Sequence, residues 1–158
     1  MRDLTIVSGG QTGADRAALD VAMALELQTG GWVPKGRRAE DGRIPARYAG
    51  LVETDTDAHE HRTALNVRDS EATLIFSFGE PTGGTGLTLK LARSSGKPHL
   101  VVDLATTPEA QAAERVRDWL AATRVRVLNV AGSRASNEPR IAPAVTAVLT
   151  AALAADDG

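Results

Sequence analysis

The sequence predicts an α/β fold, a three-layer sandwich around a mostly parallel sheet of about five strands. Three observations carry that expectation. Short β-branched runs alternate with longer segments at helical spacing, glycine-rich turns follow strand-like runs, and Ala72 to Phe78 is the most strand-like run in the chain. Strands that alternate with helices pair in parallel, and a parallel sheet is covered on both faces.

Leu4 to Val7 is short, apolar and β-branched, and reads as the first strand. Within Thr12 to Leu27, Ala14, Ala17, Ala18, Val21, Ala22 and Leu25 recur at helical spacing. Gly30 to Val33 is a second strand, ended by Pro34, which has no N–H to give to a sheet. From Lys35 to His61 the chain is polar and rich in Gly, Pro, Asp and Arg, with no clear period. An irregular segment of that length is functional, a lid for example, or mobile. Leu65 to Ser70 belongs to a short helix, Leu87 to Ser94 has helical spacing, and Pro98 to Val102 reads as a strand. In "TTPEAQAAERVRDWLAAT", Thr107 can cap a helix that Pro108 opens, with Glu109 in the first turn where the helix dipole favours an anion. Val125 to Val130 is the last strand, and an Ala-rich helix runs on to Ala154.

The 158 residues fit one ligand-binding domain, 1–155, followed by a short acidic tail, 156–158, with Asp156 and Asp157. A net charge of −2 gives no global attraction to a polyanion, so no nucleic-acid partner is expected. There is no cysteine, hence no disulfide and no thiolate chemistry. No apolar stretch approaches about 20 residues and no signal-like segment opens the chain, so no membrane partner is expected and the location is read as cytoplasmic.

Ligands bind beyond the carboxyl ends of parallel strands, where helix N-termini present unpaired amides. Three loops fall there. "SGGQTGAD" matches the dinucleotide fingerprint with Ser8 in place of the first glycine, Gly10 as the second and Gly13 as the third, and it lacks the lysine of a P-loop. Amides from Gly9 to Gly13 can approach a phosphate there, with Gln11 and Thr12 adding side-chain donors; close packing of a tight turn is the other reason for such glycines. A nicotinamide site needs an acid roughly 20 residues on. "PKGRRAEDGRIP" supplies Lys35, Arg37 and Arg38 instead, which disfavours NAD and suits a phosphate, unless these cations merely pair with Glu40 and Asp41.

The second loop, "GEPTGGTGLTLKLA", offers Gly83, Gly84 and Gly86 as another amide cradle, with hydroxyls at Thr82, Thr85 and Thr88. The third, "NVAGSRASNEP", adds Asn129, Gly132, Ser133 and Arg134, whose guanidinium can clamp an anion, or a helix cap at Ser136 or Asn137. His59 and His61 with Asp55, Asp57 and Glu60 superficially suggest a metal site, but an i, i+2 pair does not face one way on a helix, and no metal ligand is assigned. Arg62, Asn66 and Asp69 share a helical stripe that faces either the ligand cleft or solvent. No nucleophile stands paired with a base, so no catalytic residue is assigned.

Together "SGGQTGADRAALD", "GGWVPKGRRAEDGRIP", "RTALNVRDSEATLIF", "GGTGLTLKLA" and "LNVAGSRAS" resemble the putative molybdenum carrier family. This is a branch of the Rossmann-like superfamily that includes the lysine-decarboxylase-like nucleotide phosphoribohydrolases. The likeness runs from Thr5 to Ser136. It implies a Rossmann-like homo-oligomer that binds and protects molybdenum cofactor (molybdopterin), a pterin with a terminal phosphate and a molybdenum centre. The phosphoribohydrolases carry a Pro-Gly-Gly-x-Gly-Thr-x-x-Glu motif whose glutamate serves cleavage of the N-glycosidic bond. Laid on "PTGGTGLTLK" by its glycines, that motif puts Leu87 at the threonine and Lys90 at the glutamate. The acid is missing, and Glu80 lies on the other side of the turn, which favours a binding protein over a hydrolase.

The expected ligand is therefore a phosphorylated small molecule such as molybdenum cofactor. Amides of Gly9, Gly10, Gln11, Thr12 and Gly13 would hold it on one side and those of Gly83, Gly84, Thr85 and Gly86 on the other. Lys35, Arg37, Arg38 and Arg134 would assist as cations, with Asn129 alongside and Trp32 as the candidate for ring stacking. The alternatives are a nucleotide-binding sensor and a nucleotide N-glycosidase, for which Asp69 or Glu71 would supply the carboxylate near the sugar.

Overall fold

Alternate residues along the central strands point to opposite helix layers, and this decides the architecture. In the computed structural model, which describes residues 3–154, Leu74 and Phe76 face one way, with Ile6, Leu128 and Val130, while Ile75 and Ala131 face the other. The elements run β1 (Thr5–Val7), α1 (Ala14–Ala24), β2 (Gln28–Val33), a 3-10 turn (Lys35–Arg37), β3 (Arg38–Ala39), β4 (Gly42–Arg43), β5 (Leu51–Glu53) and α2 (His59–Arg68). β6 (Ala72–Ser77), α3 (Gly83–Ser95), β7 (His99–Asp103), α4 (Glu109–Thr123), β8 (Val127–Gly132) and α5 (Ile141–Ala154) follow. Six parallel strands lie in the order β5-β2-β1-β8-β6-β7, and β3 and β4 form a small antiparallel hairpin of their own.

The larger core lies between the sheet and α1, α4 and α5, where Val21, Val116, Leu120, Val145 and Leu149 are buried against Leu74 and Phe76. Each such side chain contributes about 1.5–3 kcal/mol on burial. α1 approaches β8 closely: a Cβ on Gly132 would stand 2.6 Å from the Ala14 Cβ and 2.5 Å from the Phe76 carbonyl oxygen. Small residues at this crossing are thus a packing requirement. α2 and α3 cover the other face, with Leu89 against Ile75.

The sheet has six strands, one more than the pattern predicts, and the extra one is β5, inside the segment read as irregular. That segment is also packed down: Ile44 and Tyr48 are buried with Leu19 of α1 and Val33 of β2. α2 starts at His59 rather than near Leu65, and β2 starts at Gln28. Thr107 does not cap α4. Pro108, extended at φ −58° and ψ 149°, is the cap residue and makes no side-chain bond. The acidic tail expected at 156–158 lies outside the described residues.

Candidate functional site

β1, β2 and β5 run outward one way from the centre of the sheet, while β6 and β7 lie on the other side, with β8 between β1 and β6. Ligand clefts form at such a switch point, above the carboxyl ends of the strands. A cleft of about 630 Å³ lies there, walled by the N-terminus of α3, the loop after β8 and the first turns of α2, with Gln11 and Asp15 at its base.

Of the residues expected to hold a ligand, Gln11, Gly83, Gly84, Thr85 and Arg134 line this cleft. The other nine are outside its lining. In the first glycine loop two of the five expected amides have partners, Gly10 N donating to Ser8 Oγ and Gln11 N to Asp15 Oδ2, and the next amide, Ala14 N, donates to the Ser133 carbonyl. Its glycines serve packing. A Cβ on Gly9 would stand 2.0 Å from Arg62 Nη1, and one on Gly13, whose φ is +83°, 2.3 Å from Ser133 O. Gly10, at φ +69°, lies against Ile44. The Thr12 hydroxyl donates to Glu40 Oε2 and accepts from Ala135 N, tying the β3–β4 hairpin to the loop after β8.

The cations of the "PKGRR" stretch also turn elsewhere. Arg37 donates to the Ile44 and Pro45 carbonyls, Arg38 pairs with Asp57 at 2.9 Å, and Lys35 is exposed in the 3-10 turn. Asp41 pairs with Arg16, and Glu40 accepts from Ser136 as well as Thr12, which together hold its carboxyl below the usual range. Gly86 donates its N–H to Thr82 O within the start of α3, and Asn129 is buried in the sheet beside Thr73, with Nδ2 3.4 Å from Thr73 Oγ1.

α3 enters the cleft differently. Thr82 precedes its first turn without making a side-chain cap bond, so the orphan N–H groups of that turn face the space. The glycines here are not demanded by packing: a Cβ on Gly83 or on Gly84 would meet nothing within 4 Å. Arg134, on the loop after β8, also lines the cleft and enters no ion pair among the described residues.

The stripe of Arg62, Asn66 and Asp69 divides. Arg62 faces the cleft and lies 3.8 Å from Asp15 Oδ2, both side chains nearly buried. Burial pushes the Asp15 carboxyl up, against the lowering effect of Arg62, and burial likewise pushes Arg62 down. Asn66 instead brackets Trp32, accepting from its N–H at 2.7 Å and donating to its carbonyl at 3.0 Å, while Asp69 accepts from the Trp32 indole at 2.9 Å. Trp32 thus lies outside the cleft, whose lining contains no Phe, Tyr or Trp among the described residues.

The two histidines of α2 diverge. His61 faces Asp55 at 3.7 Å, and His59 lines the cleft with Nδ1 buried and unpartnered, its pKa pushed down by burial and then by Arg62. Asp69 and Glu71 sit at the opposite end of the sheet, where Glu71 accepts from Arg126 N and Val127 N before β8. Lys90 is outside the cleft too; the carboxylates that line it are Asp15 and Glu60. Asp15 stood in plain view in "GGQTGAD", but an acid in a first helical turn is the ordinary complement of the dipole.

An open parallel sheet with helices on both faces and a loop-walled cleft over its switch point defines a Rossmann-like α/β protein. The chain belongs to the circularly permutated YpsA SLOG family, which matches it over residues 6–153. It is similar to the solved structure of the putative molybdenum carrier protein from Syntrophus aciditrophicus SB, with 46% sequence identity, 94% of each chain covered and a TM-score of 0.92. A second solved structure, (E)-4-hydroxy-3-methyl-but-2-enyl diphosphate reductase, is 12% identical over 92% of this chain and 58% of that one; its TM-score of 0.40 carries no inference about function. A comparison with curated proteins found no match.

Proposed function

We propose that the chain is a carrier for molybdenum cofactor, whose terminal phosphate sits on the first-turn amides of α3 and against Arg134. The observation that carries this reading is the empty space at Gly84, where a Cβ would meet nothing within 4 Å beyond its own turn of helix and φ is not positive. Glycine inside a helix costs about 0.5–1 kcal/mol relative to alanine. Neither packing nor backbone conformation repays that cost here, which leaves close approach of a ligand to the amides as the demand on this position. The helix dipole adds partial positive charge at the same point, and Arg134 has its guanidinium available for a bidentate contact.

The name of the Syntrophus relative supports a molybdenum-bearing cargo. The metal would travel on the pterin, shielded with it among the loops. The test is mass spectrometry of small molecules released from gently purified protein, with molybdenum counted on the same sample, for the wild type and Arg134→Met. A pterin phosphate with molybdenum in the wild type and depleted in the variant is expected. A nucleotide in its place overturns the carrier reading and turns attention to a sensor or hydrolase.

A further inference from the structure

The phosphate reading uses only the start of α3 and Arg134, yet the space of about 630 Å³ is sized for a much larger molecule. Its base is polar and buried. Gln11 and Asp15 are 2% and 4% exposed. Gln11 Nε2 is committed to the Arg38 carbonyl at 2.9 Å, so the amide cannot turn over without losing that bond, and Oε1 is left buried with no partner. On Asp15 both the Gln11 N–H, at 3.2 Å, and Arg62 address Oδ2, leaving Oδ1 for another donor. Arg62 Nε, on the guanidinium that faces Asp15, is buried and also without a partner. An unpaired buried polar group costs free energy, and a ligand that satisfies several at once recovers it.

The charges orient such a ligand. Arg62 already faces Asp15, whereas Arg134 enters no close ion pair among the described residues, so an anionic end belongs beside Arg134 and a neutral polar end at the base. Among the described residues no Phe, Tyr or Trp lines the cleft and His59 is its one ring side chain, so the polar base reads a ring along its edge.

Building on the phosphate reading, we infer that Asp15, Gln11 and Arg62 form a selectivity subsite for a lactam-amidine edge, the C=O, N–H and NH2 sequence shared by guanine and pterins. The carboxylate and the Gln11 oxygen accept the ring N–H and the amino group, and Arg62 donates to the carbonyl. Adenine presents a ring-nitrogen lone pair where the lactam has its N–H, and this faces the Asp15 oxygen unfavourably.

Calorimetric titration with guanosine monophosphate, adenosine monophosphate, neopterin monophosphate and inorganic phosphate tests the assignment. The guanine and pterin esters are expected to bind at least about tenfold more tightly than the adenine ester. In Asp15→Asn, that margin should vanish, because the guanine and pterin esters lose an acceptor while the adenine ester loses a repulsion and binds as well as before or better. The tighter of the two favoured esters identifies the source of the edge. Equal binding of all three esters, or an unchanged margin in a folded Asp15→Asn protein, overturns the subsite and leaves the phosphate reading standing. Failure of all four compounds to bind overturns both. Should Asp15→Asn not fold, the wild-type margin over the adenine ester decides alone.

Discussion

Arg62 lies over Gly9 so closely that a Cβ on the glycine would stand 2.0 Å from Nη1. A glycine in a phosphate-binding type of loop thus makes room for a guanidinium, and that guanidinium faces Asp15. Gly9→Ala should drive Arg62 off this position and destabilise the fold by about 1–3 kcal/mol, the range for overpacking a buried site. In an Arg62→Ala background the same substitution should cost much less, because the clashing group is gone. Thermal melts of the four proteins form the cycle, and equal costs in both backgrounds overturn the packing role.

Gly84→Ala separates ligand binding from stability. With open space at the built Cβ, alanine should leave the melting temperature unchanged or raise stability by about 0.5–1 kcal/mol, since it is the better helix former. Affinity for a phosphate ester should fall, because the methyl group occupies the approach to the amides. A variant that binds as well as the wild type removes the observation on which the proposed function rests.

These two glycines also explain what a sequence can and cannot tell about such a site. β6 is legible because its six residues are all buried and strand-forming. β5 is not, because three residues at the sheet edge are too few to show a period and Val52 is 52% exposed. The two glycine loops look alike in the chain but differ in role, since the partners that occupy the space at Gly9 and Gly13 are Arg62 and Ser133, far away in sequence. Arg37 and Arg38 read as anion binders for the same reason. Their partners, the Ile44 and Pro45 carbonyls and Asp57, become visible only once the hairpin has folded.

Lys97 closes the far end of α2. Its Nζ donates to the carbonyls of Val67 at 3.2 Å, Arg68 at 2.6 Å and Ser70 at 2.7 Å, groups that the end of a helix leaves without partners. Lys97→Met keeps the aliphatic stem and removes the donors. A loss of about 1.5–3 kcal/mol in chemical denaturation is expected, the value of a hydrogen bond to a charged group, with no change in ligand affinity because the site is at the other end of the helix. A loss of affinity at unchanged stability would contradict this assignment.

At that same end, the Arg68 guanidinium and then the Trp32 indole N–H hold the Asp69 carboxyl down to about 2, from an ordinary value of 3.8. A carboxyl lowered on folding binds protons more weakly in the native state. Its contribution to stability is therefore complete above 3.8 and is lost as the pH falls through about 2. Asp69 is partly exposed, so the effect should shrink in high salt. Trp32→Phe removes the indole donor but leaves Arg68 in place, so the Asp69 midpoint should rise part of the way toward 3.8 and acid unfolding should begin at a higher pH. Carboxyl-detected NMR titration of both proteins measures the two midpoints. A wild-type midpoint at 3.8, or one that Trp32→Phe does not move, would break the link between Trp32 and this carboxylate.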